Sequence, residues 1–274
     1  MAITSFIPQV WSARLLEHLD NTLVARSFFN QDYVGEIRNY GDTVRINQIS
    51  DPTITTYIPN QDMDSPEELS TVGQDLRIDQ AESFNFQVDD VDAAQARSGL
   101  MDSAMQRSAF KLAEVEDTWL FGVLNSGVAP ANVLPPVSVT NADMMFSVLV
   151  GLRQVLVKNN VPSNQRRVAL PPEAISMLLQ DDRFTATGSG QAENRLQAGL
   201  IGRAVGFEVY EVNTTPGGNT AIAGHPLAAT FAGQIVQTEA FRMEKRFADG
   251  VKGLSVYGAR VLVPGALASV VLNF

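Results

Sequence analysis

The sequence predicts an α+β protein, and three observations carry the prediction. Period-two alternation of apolar and polar residues runs through residues 33–88 and returns near the C-terminus, as strands require. Helical spacing from Leu100 to a glycine stop at Gly127 covers roughly seven turns at 3.6 residues per turn, longer than any other element. Between that helix and the last strands, short helices and short strands alternate. At 274 residues the chain exceeds one simple core and suits one large or two interleaved domains.

The elements follow in chain order. After Pro8, residues Trp11, Leu15, Leu19 and Leu23 recur every four positions and predict a short amphipathic helix. Followed by Phe28-Phe29, it reads as an arm seeking a surface, because one helix cannot bury both groups. Asn39-Tyr40-Gly41-Asp42 is a turn signal, and Thr43 to Ile49 alternates strictly behind it. Residues 53–58 are β-branched and aromatic, 59–73 form a polar tip containing Pro66, and Leu76-Arg77-Ile78 and Phe84 to Val88 alternate again. The pattern is a long hairpin-like excursion whose apolar stripe has little nearby sequence to cover it, so it needs another surface to lie on.

Asp89-Asp90-Val91-Asp92 opens a helical region that Gly99 interrupts. Beyond it Met101, Met105, Leu112, Val115, Trp119 and Val123 predict the apolar face, with Asp102, Arg107, Lys111, Glu114 and Asp117 on a solvated opposite face. A proline-rich link at 134–137 leads to a helix capped by Asn141 or Asp143, with Met145, Leu149, Leu152 and Leu156 inward. Residues 166–170 predict a strand ending at Pro171-Pro172, whose second proline starts a helix over 173–180. A flexible loop (185–190), a short helix (193–200), a strand (205–210) and an exposed turn (214–219) follow; 239–247, 253–263 and 268–274 predict the closing strands.

Composition removes several function classes. With 45% hydrophobic and 18% charged residues the chain is not disordered. Without cysteine there is no disulfide scaffold and no thiolate metal site. The net charge of −10 opposes a free-standing DNA-binder. That charge is local: residues 60–120 hold fourteen carboxylates and four cations, and the rest of the chain is balanced. The N-terminus lacks the basic and apolar regions of a signal peptide, and the uncharged runs at 118–142 and 212–238 are broken by proline, glycine and asparagine. A reducing, cytoplasm-like compartment is expected.

The search for chemistry returns structural readings. His18 and His225 are isolated, without the acid and nucleophile of a triad or the spacing of a two-histidine metal site. Gly188-Ser189-Gly190 meets Glu193 where a dinucleotide motif wants glycine, and Gly199, Gly202 and Gly206 lack the Lys-Ser/Thr of a phosphate loop. Asp89, Asp90 and Asp92 could hold a cation or form an acid/base pair, but fit better as caps of the long helix. Arg166-Arg167 falls far short of a basic patch. No enzyme activity, cofactor or metal is expected.

The order of parts resembles the tailed-bacteriophage major capsid (coat) protein family, with its Hong Kong ninety-seven-type fold, and in particular the branch grouped with coat proteins of short-tailed phages. The residues that carry the resemblance are Ile7-Pro8-Gln9-Val10-Trp11-Ser12, Gly41-Asp42-Thr43-Val44-Arg45-Ile46, Asp79-Gln80 with Phe84 to Asp92, and Gly250-Val251-Lys252-Gly253 with Tyr257-Gly258-Ala259. It implies an N-arm (1–32), an extended loop (33–82) lying across a neighbouring subunit, a peripheral domain with the spine helix (83–137 and 238–274) and an axial domain (138–237). It further implies self-assembly as hexamers and pentamers into an icosahedral shell around double-stranded DNA. The partners it implies are a portal protein, a separate scaffolding protein, since the chain starts at the arm, and decoration proteins as a possible reinforcement. The DNA would be enclosed without sequence-specific binding, no membrane would be involved, and assembly would take place in the host bacterial cytoplasm.

From this resemblance, Trp11, Phe28, Phe29, Tyr57, Ile58 and Pro59 are expected at inter-subunit contacts, and Glu114, Glu116 and Asp117 on an acidic interior face. An encapsulin-like nanocompartment shell shares the fold and is the alternative; a soluble hydrolytic enzyme of mixed α/β structure is the competitor from another class. Some members of the family crosslink through a lysine of the extended loop, whereas residues 33–82 here contain none; the lysines are Lys111, Lys158, Lys245 and Lys252. Shells boiled in SDS should therefore release monomers on a gel, and a ladder of covalent oligomers would contradict the reading.

Overall fold

The computed structural model describes residues 24–32, 41–49, 71–89, 100–180, 200–244 and 247–274, with isolated positions at 52–54, 56, 65 and 68. Three sheets and three helices make up the described fold. Strands β1 (Thr43–Ile49) and β2 (Thr71–Arg77) pair antiparallel. Strand β3 (Gln80–Asp89) lies beside β10 (Ala248–Val261), which pairs in turn with β9 (Ala229–Arg242), giving the order β3-β10-β9. The third sheet is mixed, with order β4-β11-β8-β5-β7-β6. Its strands are β4 (Val133–Ser138), β5 (Arg167–Leu170), β6 (Leu200–Ala204), β7 (Phe207–Glu211), β8 (Thr220–Gly224) and β11 (Leu267–Asn273).

The long helix α1 (Leu100–Ser126) ends at Gly127 as its sequence predicts, but its inward face is rotated from the expected one. Met105, Ala109, Ala113, Glu116, Asp117, Leu120, Phe121 and Leu124 are buried, whereas Val115 is exposed and Leu112 half-buried. Weighting the large apolar residues misplaces the stripe, because alanines mark where the helix comes closest to the sheet. Met105 and Ala109 pack there on Val251 of β10, with Phe84 and Phe86 of β3 alongside. Trp119 meets Tyr257 of β10 edge to face at 5.4 Å.

Helix α2 (Ala142–Lys158) follows its prediction closely. The Asn141 side chain accepts from the Met144 amide at 2.9 Å, and Met145, Leu149, Leu152 and Leu156 are fully buried. The helix closes in a Schellman motif: the Val161 amide donates to Leu156 O and the Asn160 amide to Val157 O, with Asn160 left-handed at φ 55°. Pro172 opens the short helix α3 (Pro172–Leu178), and β5 precedes it, both as expected.

Four expectations are corrected. The proline-rich link is strand β4, tolerated because it is an edge strand pairing only with β11, whose register shifts between Val270 and Leu272 opposite the prolines. Leu200, placed in a helix by the sequence, begins strand β6; the rest of the expected helix and the 185–190 loop lie outside the described residues. Val205 and Gly206, both at positive φ (53° and 87°), make the two-residue turn to β7, a geometry that valine disguises in the sequence. Asp89 ends β3 opposite Ala248 rather than capping α1, while Asp90 and Asp92 lie outside the described residues.

The β1–β2 hairpin finds its cover within its own subunit. Val44, Ile46, Leu76 and Ile78 are buried against Ala232 and Val256 of the β9–β10 pair. Arg260 Nη1 donates to Asp75 O at 2.8 Å, tying the hairpin to β10 again. At the crossing, Gly258 permits an approach that no side chain allows: a Cβ there would lie 2.2 Å from Arg77 O and 3.0 Å from Ile78 Cα. Both obstacles are backbone and cannot rotate away. Gly258→Ala should destabilise the subunit by about 1–3 kcal/mol, lowering its thermal midpoint by roughly 2–4 °C per kcal/mol. Gly122→Ala, inside α1 with nothing within 4 Å of the new methyl, should be neutral or stabilising; equal midpoints for the two variants would contradict the crossing argument.

Candidate assembly surfaces and the root of the arm

Residues 24–32 are stitched into the core. A short 3₁₀ turn, Ala25–Phe28, leaves its first amides without partners of their own, and no local side chain caps them. Asp117 of α1 supplies the cap from a distance: its Oδ2 accepts from the Val24 amide at 3.2 Å and its Oδ1 from the Ala25 amide at 3.1 Å. Beside it Arg26 forks onto Glu116, Nε to Oε1 at 2.6 Å and Nη2 to Oε2 at 3.0 Å. The same guanidinium lies 5.0 Å from the Phe231 ring centroid. Asn30 then bridges β9, its amide donating to Ala229 O and its carbonyl accepting from the Phe231 amide.

This geometry reassigns several predicted residues. Phe28 and Phe29 are core, not contact surface: they are 2% and 4% exposed, and Phe28 sits edge to face with both Phe121 and Tyr210 at 5.7 Å. Phe29 packs on Phe231. Glu116 and Asp117 are 2% and 6% exposed and face Arg26 and the turn amides, so they present no charge to a shell interior. Of the expected acidic face only Glu114 is exposed, and it pairs with Lys111 one turn back. Trp11, Tyr57, Ile58, Pro59 and His18 lie outside the described residues.

Sequence reasoning missed Arg26 and misread its two carboxylate partners. Helical register held the signal: positions 113, 116, 117, 120 and 124 share one face of α1, which places both acids among buried neighbours.

The exposed apolar residues are distributed elsewhere. Ile54, Phe110 and Val115 of α1, Val150 and Val157 of α2, and Phe247 at the β9–β10 turn stand in solvent. His225 is buried, accepts from the Leu227 amide through Nδ1, and is held below its ordinary pKa by burial and by Arg167 and Arg166 nearby. Arg167 pairs with Glu208, which also takes Arg203. Among the described residues no group of three or more His, Asp or Glu could hold a metal ion, and no helix is long and apolar enough to cross a membrane.

A family model described as phage capsid protein matches residues 72–270, well over half of the chain. The chain belongs to the phage capsid protein family. A structure from Mycobacterium phage Che8 is 27% identical and superposes with a TM-score of 0.72 over 90% of each chain. The capsid structure of the cyanophage P-SCSP1u is 12% identical, with a TM-score of 0.69 over 87% of this chain and 85% of that one. A virus-like particle from Pyrococcus furiosus shares the fold at 12% identity, with a TM-score of 0.57 over 96% of this chain and 98% of that one. Comparison with curated proteins gives no match. The protein is a phage major capsid protein, a structural subunit of a self-assembled virion shell.

In this capsid protein the root of the arm has a titratable element. Burial raises the Asp117 carboxyl to about 6 from an ordinary 3.8; the two turn amides pull it down, the Glu116 charge pushes it up and Arg26 pulls it down. A carboxyl raised in the folded state binds protons that the unfolded chain has released, so its contribution favours folding at low pH. That contribution is lost as pH rises through about 4 to 6, and its full size is on the order of 3 kcal/mol. Asp117→Asn should flatten the corresponding part of the stability profile when denaturant midpoints are compared between about pH 4 and 7. Parallel profiles for variant and parent would show that Asp117 does not titrate as described.

Proposed function

We propose that this capsid protein assembles as hexamers and pentamers into an icosahedral shell that encloses the double-stranded DNA of a tailed phage. The observation that carries the reading is the likeness to the Che8 structure over 90% of both chains, at an identity that exceeds those of the other two structures described above. In this reading residues 1–32 are the N-arm, 33–82 the extended loop, 83–137 with 238–274 the peripheral domain, and 138–237 the axial domain. Helix α1, β10 and most of β3 fall in the peripheral part, β9 runs from the axial part into the peripheral part, and the six-stranded sheet is built mainly from the axial part.

A scaffolding protein guides assembly in the host cytoplasm, a portal occupies one vertex, and decoration proteins reinforce the outside. The protein acts by occupying positions in a shell rather than by catalysis. The net charge of −10 suits enclosure of DNA without adhesion, since an acidic subunit does not grip a polyanion.

Negative-stain microscopy of the expressed protein tests this directly. Closed shells or capsomers are expected, and a dispersed monomer would overturn the reading. Particles from the host should hold nuclease-protected DNA; packaged protein in its place would make the shell a nanocompartment.

A further inference from the structure

Among the described residues, Arg166 is a buried cation without a counter-charge. Its residue is 5% exposed, its Nε donates to Pro162 O at 2.7 Å and its Nη2 to Val161 O. Those carbonyls follow the C-terminus of α2, so the guanidinium fixes the loop. It is not thereby neutralised, because no carboxylate pairs with it among the described residues and a guanidinium does not give up its proton. Beside it opens a cavity of about 420 Å³ whose lining includes Arg153, Val157, Asn160, Ser163, Arg166 and Gly206. Arg153 also lacks a carboxylate partner among the described residues. Burial and the Arg153 charge both lower the pKa of Arg166. Two unpaired guanidinium groups facing one cavity, one of them buried, constitute a standing electrostatic cost that an anion would relieve.

The surroundings narrow the anion. Val150, Arg153 and Val157 follow one another at intervals of three and four on the outward face of α2, and both valines are about half exposed. An apolar stripe leading into a cationic cavity suits a carboxylate carried on a protein side chain better than a free inorganic ion. Nucleic acid is a poorer fit, because two guanidinium groups do not track a phosphate backbone and the chain is acidic overall. The complementary charge is present in the sequence itself: residues 60–120 hold fourteen carboxylates and four cations, and with Glu116 and Asp117 buried in their own subunit the other twelve still outnumber those cations three to one, while the rest of the chain is balanced.

We propose that the cavity between α2 and the loop at 159–166 receives a carboxylate from the acid-rich segment 60–120 of a second copy of this chain. The contact is directional, with the axial part of one subunit gripping the acidic segment of the next, and it rests on the shell-forming reading above. A heterologous contact of this kind closes only through symmetry, as rings of subunits do.

The test uses assembled particles of Arg153→Lys, prepared from a mixture of nitrogen-15-labelled and unlabelled protein. A carbodiimide joins an amine to a carboxylate in contact with it, and mass spectrometry identifies the joined peptides. The expected product joins Lys at 153 of one copy to an acid within 60–120 of a differently labelled copy. In parallel, Arg153→Glu should raise the protein concentration needed for assembly by about tenfold or more, with the circular dichroism of the subunit unchanged. Joined peptides confined to a single copy, or acids only from outside 60–120, would overturn the proposal. So would assembly of Arg153→Glu at the parent concentration. Particles that remain visible by microscopy in those cases would leave the shell-forming reading standing, so the two failures are distinguishable.

Discussion

Two adjacent carboxylates on one helix hold the described fold together. Glu116 and Asp117 leave solvent on the buried face of α1, a cost of several kcal/mol for each ion if nothing answers it. The segment just before β1 answers it in part with one guanidinium and two backbone amides, burial still raising the Asp117 carboxyl. Because Arg26 reaches both Glu116 and the Phe231 ring, and Asn30 bridges β9, the same few residues connect the spine helix to the three-stranded sheet. Phe28 extends that connection to Tyr210 on β7, and therefore to the six-stranded sheet. Removing one member would leave a buried charge alone, which is more damaging than the net value of the pair suggests.

The β9–β10 pair is the second organising element. It is long enough to serve three neighbours along its length: β3 and α1 near Val251, the β1–β2 hairpin near Val256, and the arm root near Ala229. The hairpin adheres through four apolar side chains, a backbone crossing at Gly258 and the Arg260 bond to Asp75 O, so its base is positioned chiefly by shape. The resemblance that includes Tyr257-Gly258-Ala259 therefore has a physical content: an aromatic ring against α1, and then a residue small enough for another chain segment to cross.

Much of this was legible in the sequence. Strict alternation located β1, the Asn141 cap and the 145/149/152/156 spacing located α2, and Pro171-Pro172 marked the junction of β5 and α3. What failed had identifiable causes. Proline content disguised β4, because an edge strand needs few of the donors that proline lacks. Valine in a left-handed turn concealed the β6–β7 hairpin. The arm root was hardest to read, since its partners are about ninety residues apart and an acidic pair on a long helix ordinarily faces water. An apparent surplus of surface charge was partly internal wiring, and two aromatic residues that looked like contact surface were core. The cationic cavity likewise carried no local signature, since Arg153 and Arg166 meet only after α2 and its closing loop have folded.

The edge strand β4 has a consequence for a protein produced in many copies within one cell. An open sheet edge is a template on which another chain can add a strand, and crowding of identical chains makes such errors frequent. Pro135 and Pro136 remove two consecutive backbone donors from the strand, so the open edge cannot offer a continuous ladder, and the register break opposite them interrupts the flat repeat that an added strand would follow. Copies of the subunit can meet at high concentration without zipping together through β4. The prolines protect the supply of building blocks from loss to amorphous polymer before they are used.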